Sequence, residues 1–303
     1  MYTSKVRIGG FQEIPRSKLI DQYADSSDGS RFIKFNGHEV HLRENQDKEK
    51  PKLLALHGIC DSLHTWDPWN KELEKHFHLI RIDLPFFGLT KRNKEVPLTR
   101  EYFNQFIDDL VKELKLTKFS LLGHSLGAFL SWSYAAYRTD LIDKVVLLAP
   151  PGHPQTPPKV ISLVATPILK KIFTFWTPKF ILKYILKNLF YDISLITNDI
   201  LNRYYDMLMS EGNREEYADF FVFLIKYAAA EHHEINKIKQ PTLILWGEKD
   251  LWVPSIKAVP FFQKQIPHAR IIVYPNMRHM VQYEKTKETL TELLLFFELP
   301  VED

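Results

Sequence analysis

Short apolar runs alternate with stretches of helical period along most of this chain. Residues 31–35 and 38–42 flank Asn36-Gly37, the pair favoured in a two-residue turn, so an antiparallel hairpin is predicted at the start. Residues 53–57 form the next apolar run, 66–76 read as a helix, and 78–83 as a strand stopped at Leu84-Pro85. Over 99–116, Phe103, Phe106, Ile107, Leu110 and Leu114 recur on one helical face. A buried strand at 118–122, a helix at 128–137 free of Pro and Gly, and a strand at 144–149 continue the pattern. Apolar strands interleaved with helices predict an α/β fold, a mainly parallel sheet flanked by helices on both faces.

The texture changes after 149. Pro150, Pro151, Pro154, Pro157 and Pro158 fall within nine residues, as expected where a chain leaves its sheet. From 159 to about 234 there are helical periods and no clear strand. Strand character returns at 242–246 and 270–274, before a closing helix over 286–297. The expected organisation is a core of residues 1–150 and 236–303, with a helical cap, or lid, inserted at 151–235. The first 30 residues, polar and mixed in charge, are expected to lie on the surface as an arm.

At 303 residues the chain can bury a sizeable core, and its 45% hydrophobic and 25% charged content is ordinary for a globular protein. A net charge of +3 without basic runs argues against nucleic acid as a partner. The single cysteine, Cys60, precludes an internal disulfide and fits a reducing compartment. Residues 1–7 lack the apolar core of a signal peptide, and no stretch reaches the roughly 18 apolar residues of a membrane span. A cytoplasmic location follows as the expectation. No clustered His/Cys pattern calls for a metal, and no cofactor is expected.

The chemistry concentrates at Gly123-His124-Ser125-Leu126-Gly127, a G-x-S-x-G pentapeptide where the strand at 118–122 must turn into a helix. So sharp a turn strains the backbone of its serine and exposes the hydroxyl at the carboxyl end of the sheet, while small flanking residues prevent a collision. A serine hydroxyl is a poor nucleophile at neutral pH and needs a histidine oriented by a carboxylate. In sheets of this kind the chain order is Ser, then Asp or Glu, then His, each beyond a strand. Asp250 fits the acid, ahead of its neighbour Glu248, and His279 fits the base. The oxyanion of an acyl-transfer intermediate needs two fixed donors. One should be the Leu126 N–H, and the other should come from the loop after 53–57, with Ile59 preferred and Cys60 the alternative. Asp83 is expected to form a turn, Cys60 to pack as a loop thiol, and Trp66 and Trp69 to sit in the core.

Together these residues resemble the α/β-hydrolase superfamily, in its capped serine-hydrolase (esterase and lipase-like) branch, over nearly all of the chain after residue 30. Leu56-His57-Gly58 looks like the family's oxyanion strand end, and Gly123–Gly127 matches its nucleophile elbow. Gly247-Glu248-Lys249-Asp250 resembles its acid loop, and His279 its terminal base. The stretch from Asp83 to Thr90 is similar to its D-x-P-G-x-G-x-S/T turn. The resemblance implies a twisted eight-stranded sheet and a cap roofing the site. Phe86 stands where that turn has a glycine, which is expected to bring an aromatic near the site. Ala128 follows Gly127 where many relatives carry a second glycine. A serine at the elbow separates this chain from relatives with aspartate there, such as haloalkane dehalogenases and epoxide hydrolases. The H-x4-D element of some acyltransferase relatives is absent, since Glu284 stands five residues after His279.

Residues 159–191 hold six lysines and no acidic residue. Lys179, Lys183 and Lys187 recur every four residues along a helix beginning near Pro178, among Phe180, Ile181, Leu182, Tyr184, Ile185, Leu186 and Leu189. One reading is a lid helix buried against the core with a solvated lysine stripe. The other is an apolar acyl pocket whose lysines meet an anionic lipid surface or an acidic substrate. The expected function is hydrolysis of small-molecule carboxylic esters with apolar acyl or alcohol groups, with weak membrane-surface contact through the cap and the oligomeric state left open. The alternatives are C–C bond hydrolysis of meta-cleavage type and a ligand-binding protein with a slow triad.

Overall fold

The computed structural model describes residues 12–228 and 232–301. Its strands are β1 (Ser30–Phe35), β2 (His38–Glu44), β3 (Lys52–Leu56), β4 (His78–Ile82), β5 (Phe119–His124), β6 (Ile142–Leu148), β7 (Thr242–Gly247) and β8 (Arg270–Tyr274). They form one sheet in the order β1-β2-β4-β3-β5-β6-β7-β8. β2 runs antiparallel to β1 and β4, and every other neighbouring pair is parallel. Asn36 and Gly37 have φ of 46° and 77°, the left-handed pair that the predicted hairpin turn demands.

The winding reverses at β3. From β3 the chain adds β4 on one side, then β5 and the later strands on the other. Ligands of open α/β sheets bind outside the carboxyl ends of the strands at such a switch point. The segments leaving β3 and β5 there are Gly58–Ile59 and the serine elbow. Every residue of β5 and β7 is buried, as parallel strands covered on both faces should be. Helices Arg100–Glu113 and Leu126–Tyr137 pack on each other, as do Asp67–His76 and Thr286–Phe296. The Thr99 hydroxyl accepts from the Tyr102 N–H at 3.2 Å and so caps the first of these.

Between β6 and β7 lie five α-helices, Lys159–Val164, Pro167–Phe175, Lys179–Leu189, Asn198–Met209 and Asn213–Ala228, with no strand among the described residues. The proposed boundaries of the insertion include 229–231, which lie outside the described residues, as do 1–11 of the expected arm. The rest of that arm is more structured than its polarity suggested. Arg16–Tyr23 is a helix whose Leu19 is buried with Leu89 and Met207. Arg16 holds this helix down by donating to the Leu89 carbonyl from Nε at 2.9 Å and Nη2 at 2.7 Å.

Candidate active site

Ser125 sits one residue past β5, with φ 52° and ψ −115°, a conformation that costs a non-glycine residue about 1–3 kcal/mol. Two bonds impose it. The Ser125 N–H donates to the Leu148 carbonyl at 2.9 Å, and its own carbonyl accepts from the Phe129 N–H at 2.9 Å as the helix begins. The glycines flanking the motif allow the crowding. A Cβ on Gly127 would stand 2.0 Å from the Leu56 carbonyl oxygen, and one on Gly123 would stand 2.4 Å from that of Gly127. The elbow helix is thereby pressed onto β3.

Asp250 and His279 arrive from the loops after β7 and β8. The His279 Nδ1 and Asp250 Oδ2 are 2.8 Å apart. The other carboxylate oxygen accepts the N–H groups of Trp252 at 2.8 Å and Val253 at 3.0 Å. Trp246 Nε1 donates to Oδ2 at 3.2 Å, so the acid is held from three sides. Its sequence rival Glu248 instead pairs with Lys249 at 3.3 Å on the surface. With Nδ1 engaged, Nε2 is the ring nitrogen left to act as a base. The His279 ring and Ser125 line the same cavity, of about 300 Å³.

The loop after β3 closes on the nucleophile. A Cβ on Gly58 would lie 3.4 Å from the Ser125 Cβ, and Ile59 lines the cavity beside it. Leu126 opens the helix Leu126–Tyr137 at the elbow, and its side chain is buried. Cys60 is part of the cavity wall, so it is more than a packed loop thiol. Burial, helped by Asp61, pushes its thiol pKa up, which leaves it protonated and a weak nucleophile.

Several groups escaped the sequence reading. His124, inside the pentapeptide itself, donates from Nε2 to the His279 carbonyl at 3.0 Å. Burial and the neighbouring His279 hold its pKa well below the ordinary histidine range, so it does this as a neutral ring. Trp252 stacks on the His279 ring at 6.2 Å. The His279 N–H donates to the Leu189 carbonyl at 2.9 Å, tying the base to the end of helix Lys179–Leu189. Glu284 accepts the N–H of Arg278 at 2.8 Å and that of Tyr191 at 2.5 Å, bracing the same junction. Local pattern could not reveal most of these, because all the partners except Arg278 and Glu284 are remote in the chain.

The other residues singled out in the sequence have definite places. Asp83 is fully buried and accepts the N–H of Leu63 at 2.7 Å and of Leu89 at 2.8 Å, with His41 Nδ1 at 2.7 Å from its carboxylate. Burial alone would raise its pKa, but His41 and the backbone donors win and hold it well below the carboxylate range. It organises the turn. Phe86 is not at the site: it is packed against Phe87, Tyr102, Phe103 and Phe220 and lines neither cavity that reaches Ser125. Trp66 and Trp69 are fully buried. Among the described residues, no group of three or more His, Cys, Asp or Glu side chains is placed to hold a metal ion.

The family model for the alpha/beta hydrolase fold matches residues 51–286. The chain belongs to the α/β-hydrolase family. It is 26% identical over 284 residues to monoacylglycerol lipase ABHD6 of Homo sapiens, covering 91% of this chain and 81% of that protein. It is 25% identical over 256 residues to the uncharacterized hydrolase YugF of Bacillus subtilis, covering 84% and 93%. Epoxide hydrolase 4 of Homo sapiens matches at 24% identity over 277 residues, covering 84% and 74%. Among solved structures, a serine hydrolase from Cycloclasticus zankles superposes with a TM-score of 0.77 at 23% identity, covering 89% of this chain and 97% of that one. A meta-cleavage product hydrolase from Pseudomonas fluorescens does so with a TM-score of 0.77 at 20% identity, covering 90% and 98%. This α/β-hydrolase therefore has the eight-stranded, mainly parallel sheet of its family, and is a hydrolase.

Proposed function

We propose that this hydrolase cleaves carboxylic esters through Ser125, His279 and Asp250. The observation that carries the reading is the His279–Asp250 pair, 2.8 Å apart, on the cavity into which the strained Ser125 opens. His279 takes the Ser125 proton as the hydroxyl attacks the ester carbonyl, and Asp250 fixes the tautomer and stabilises the imidazolium. The N–H groups of Leu126 and Ile59 receive the oxyanion. His279 then protonates the departing alcohol, and water releases the acyl group by the same steps. Leu163, Val164, Leu169, Ile172, Phe173 and Ile185 are among the side chains walling the cavity, which suits an apolar acyl or alkyl chain.

Some relatives carry the name epoxide hydrolase, but a serine opening an epoxide would form an ether that water cannot release at this site. An ester intermediate turns over. The competing chemistry for the same groups is hydrolysis of a C–C bond in a vinylogous diketone, and a slow-turnover binding protein is the other alternative. p-Nitrophenyl esters from acetate to palmitate, a dienone substrate and a fluorophosphonate probe separate the three. Ester turnover with Ser125 labelled is the expected outcome, and Ser125→Ala should lose about 10³-fold or more in kcat. Cleavage of the dienone alone, or an unlabelled serine, would replace the proposal.

The five helices between β6 and β7 are proposed to act as the cap, and its outer face to rest on an anionic lipid surface. Ile168 and Phe175 on one of these helices, and Phe180 and Tyr184 on the next, are exposed and line neither cavity, so burial in the fold does not account for them. Lys171, Lys183 and Lys187 are exposed among them. Leu163, Ile172, Trp176 and Ile181 are also exposed, yet they belong to the cavity wall, so the mouth opens within the apolar face.

A further inference from the structure

A second cavity, of about 90 Å³, also reaches the nucleophile, sharing Ser125, Ile59, Ile161 and Trp252 with the larger one. Most of its wall is apolar too, but polar side chains interrupt it. His153 and Gln155, from the proline-rich segment after β6, contribute to it. His153 is only 6% exposed, and neither of its ring nitrogens has a hydrogen-bond partner. The Gln155 Oε1 is likewise buried and unpartnered. A buried polar atom left unsatisfied costs about 1–3 kcal/mol, so three such atoms on two residues of one cavity wall call for something to complete them.

Their chemistry limits what that is. A neutral imidazole offers one donor and one acceptor, and the amide oxygen is an acceptor. Burial, with Lys257 nearby, lowers the pKa of His153, so it is the neutral ring that must be satisfied. The ligand must therefore both donate and accept. Hydroxyl groups do both; a carboxylate accepts only, and an alkyl group does neither. By this measure of space one water needs roughly 10–15 Å³, so the cavity takes a group of about six to nine heavy atoms.

We propose that this smaller cavity is a polar subsite for the short, hydroxyl-bearing end of the ester, recognised by His153 and Gln155, while the larger cavity takes the apolar end. The proposal rests on the esterase reading above, and Ser125 at the junction of the two cavities is where the scissile carbonyl would sit. The hydroxylated end belongs either to the alcohol or to the acyl group, and two matched substrate pairs distinguish these. One pair is 1-decanoylglycerol against propyl decanoate. The other is decyl 3,4-dihydroxybutanoate against decyl butanoate.

The readout is the ratio of kcat/KM within each pair, for wild type, His153→Phe, His153→Asn and Gln155→Leu. Wild type is expected to favour the hydroxylated member of one pair by about tenfold or more. His153→Phe and Gln155→Leu should each erase most of that preference, and His153→Asn, which keeps a donor and an acceptor, should retain part of it. The subsite is refuted if wild type hydrolyses both members of each pair equally, or if both apolar variants keep its preference, as they would were the cavity filled by water alone. Failure to turn over any of the four esters, with Ser125 unlabelled by a fluorophosphonate, defeats the esterase reading and the subsite together. Turnover without preference defeats only the subsite.

Discussion

Phe86 shows two opposing costs at one position. Its φ of 81° is unfavourable for any residue with a side chain, which is why a glycine would be easier there. Against this, the ring is 2% exposed among four other aromatics, and the Arg92 guanidinium lies 4.5 Å above it. Relieving the backbone is worth about 1–2 kcal/mol, whereas deleting a buried Phe ring costs about 3–5 kcal/mol. Packing wins. Phe86→Gly should therefore destabilise the protein by roughly 2 kcal/mol in urea unfolding, with little change in kcat. Equal or greater stability would mean that backbone strain dominates. Ser125 has a comparable conformation with no such packing in return, and the bonds to Leu148 and Phe129 hold it there. Residue types and order were enough to pick out Ser125, Asp250 and His279 as candidates. The bond from His124 to the His279 carbonyl was not legible, because nothing local distinguishes that histidine from a structural one.

Among the elements, those with a strong local code were readable. The Asn36-Gly37 hairpin and the helix Arg100–Glu113 lie within three residues of their predicted bounds. The helix Ser255–Gln265 was missed because Pro260 lies inside it and reads as a breaker, while Ile256, 82% exposed, blurs the apolar period. Helix Lys179–Leu189 is apolar on most sides, so periodicity left its buried face open. The fold chooses Leu182 and Leu186 for burial and leaves Phe180 and Tyr184 outside. The two leucines pack with Leu201 and Tyr204 of helix Asn198–Met209. The lipid-surface proposal belongs at this scale. A lysine near an anionic bilayer is worth about 1 kcal/mol, so Lys183→Glu with Lys187→Glu should weaken binding to phosphatidylglycerol vesicles by at least tenfold. Phe180→Ser with Tyr184→Ser should weaken it further. Wild type absent from the pellet with both anionic and phosphatidylcholine vesicles would end that idea.

Across the whole molecule, one buried carboxylate ties the sheet edge to its interior and makes part of the stability depend on pH. Glu44 on β2 lies 2.8 Å from His78 Nε2 on β4 and accepts from Arg31 Nε at 2.9 Å, with Lys48 3.8 Å away. The His78 bond, then Arg31 and Lys48, outweigh burial and lower its pKa from 4.5 to about 2. A depressed folded pKa means that the stabilisation is present above the unfolded value and is lost as pH falls from about 4.5 toward about 2, on the order of 3 kcal/mol in full. Glu44→Gln should thus cost most stability near neutrality, and its unfolding curve should converge on that of wild type only as pH approaches about 2. A gap independent of pH would contradict this.

Fold class, strands and candidate chemistry-bearing side chains could be read from the chain alone, because hydrophobic period, turn residues and the crowding at the elbow are local properties. Only the tertiary structure decided what those side chains meet. The pairing of Asp250 with His279, the hold of Leu189 on the base, and the two unlike cavities at Ser125 all join segments far apart in the chain. Contacts of that kind follow from how the sheet is wound and how helices pack over it, and no local pattern encodes them.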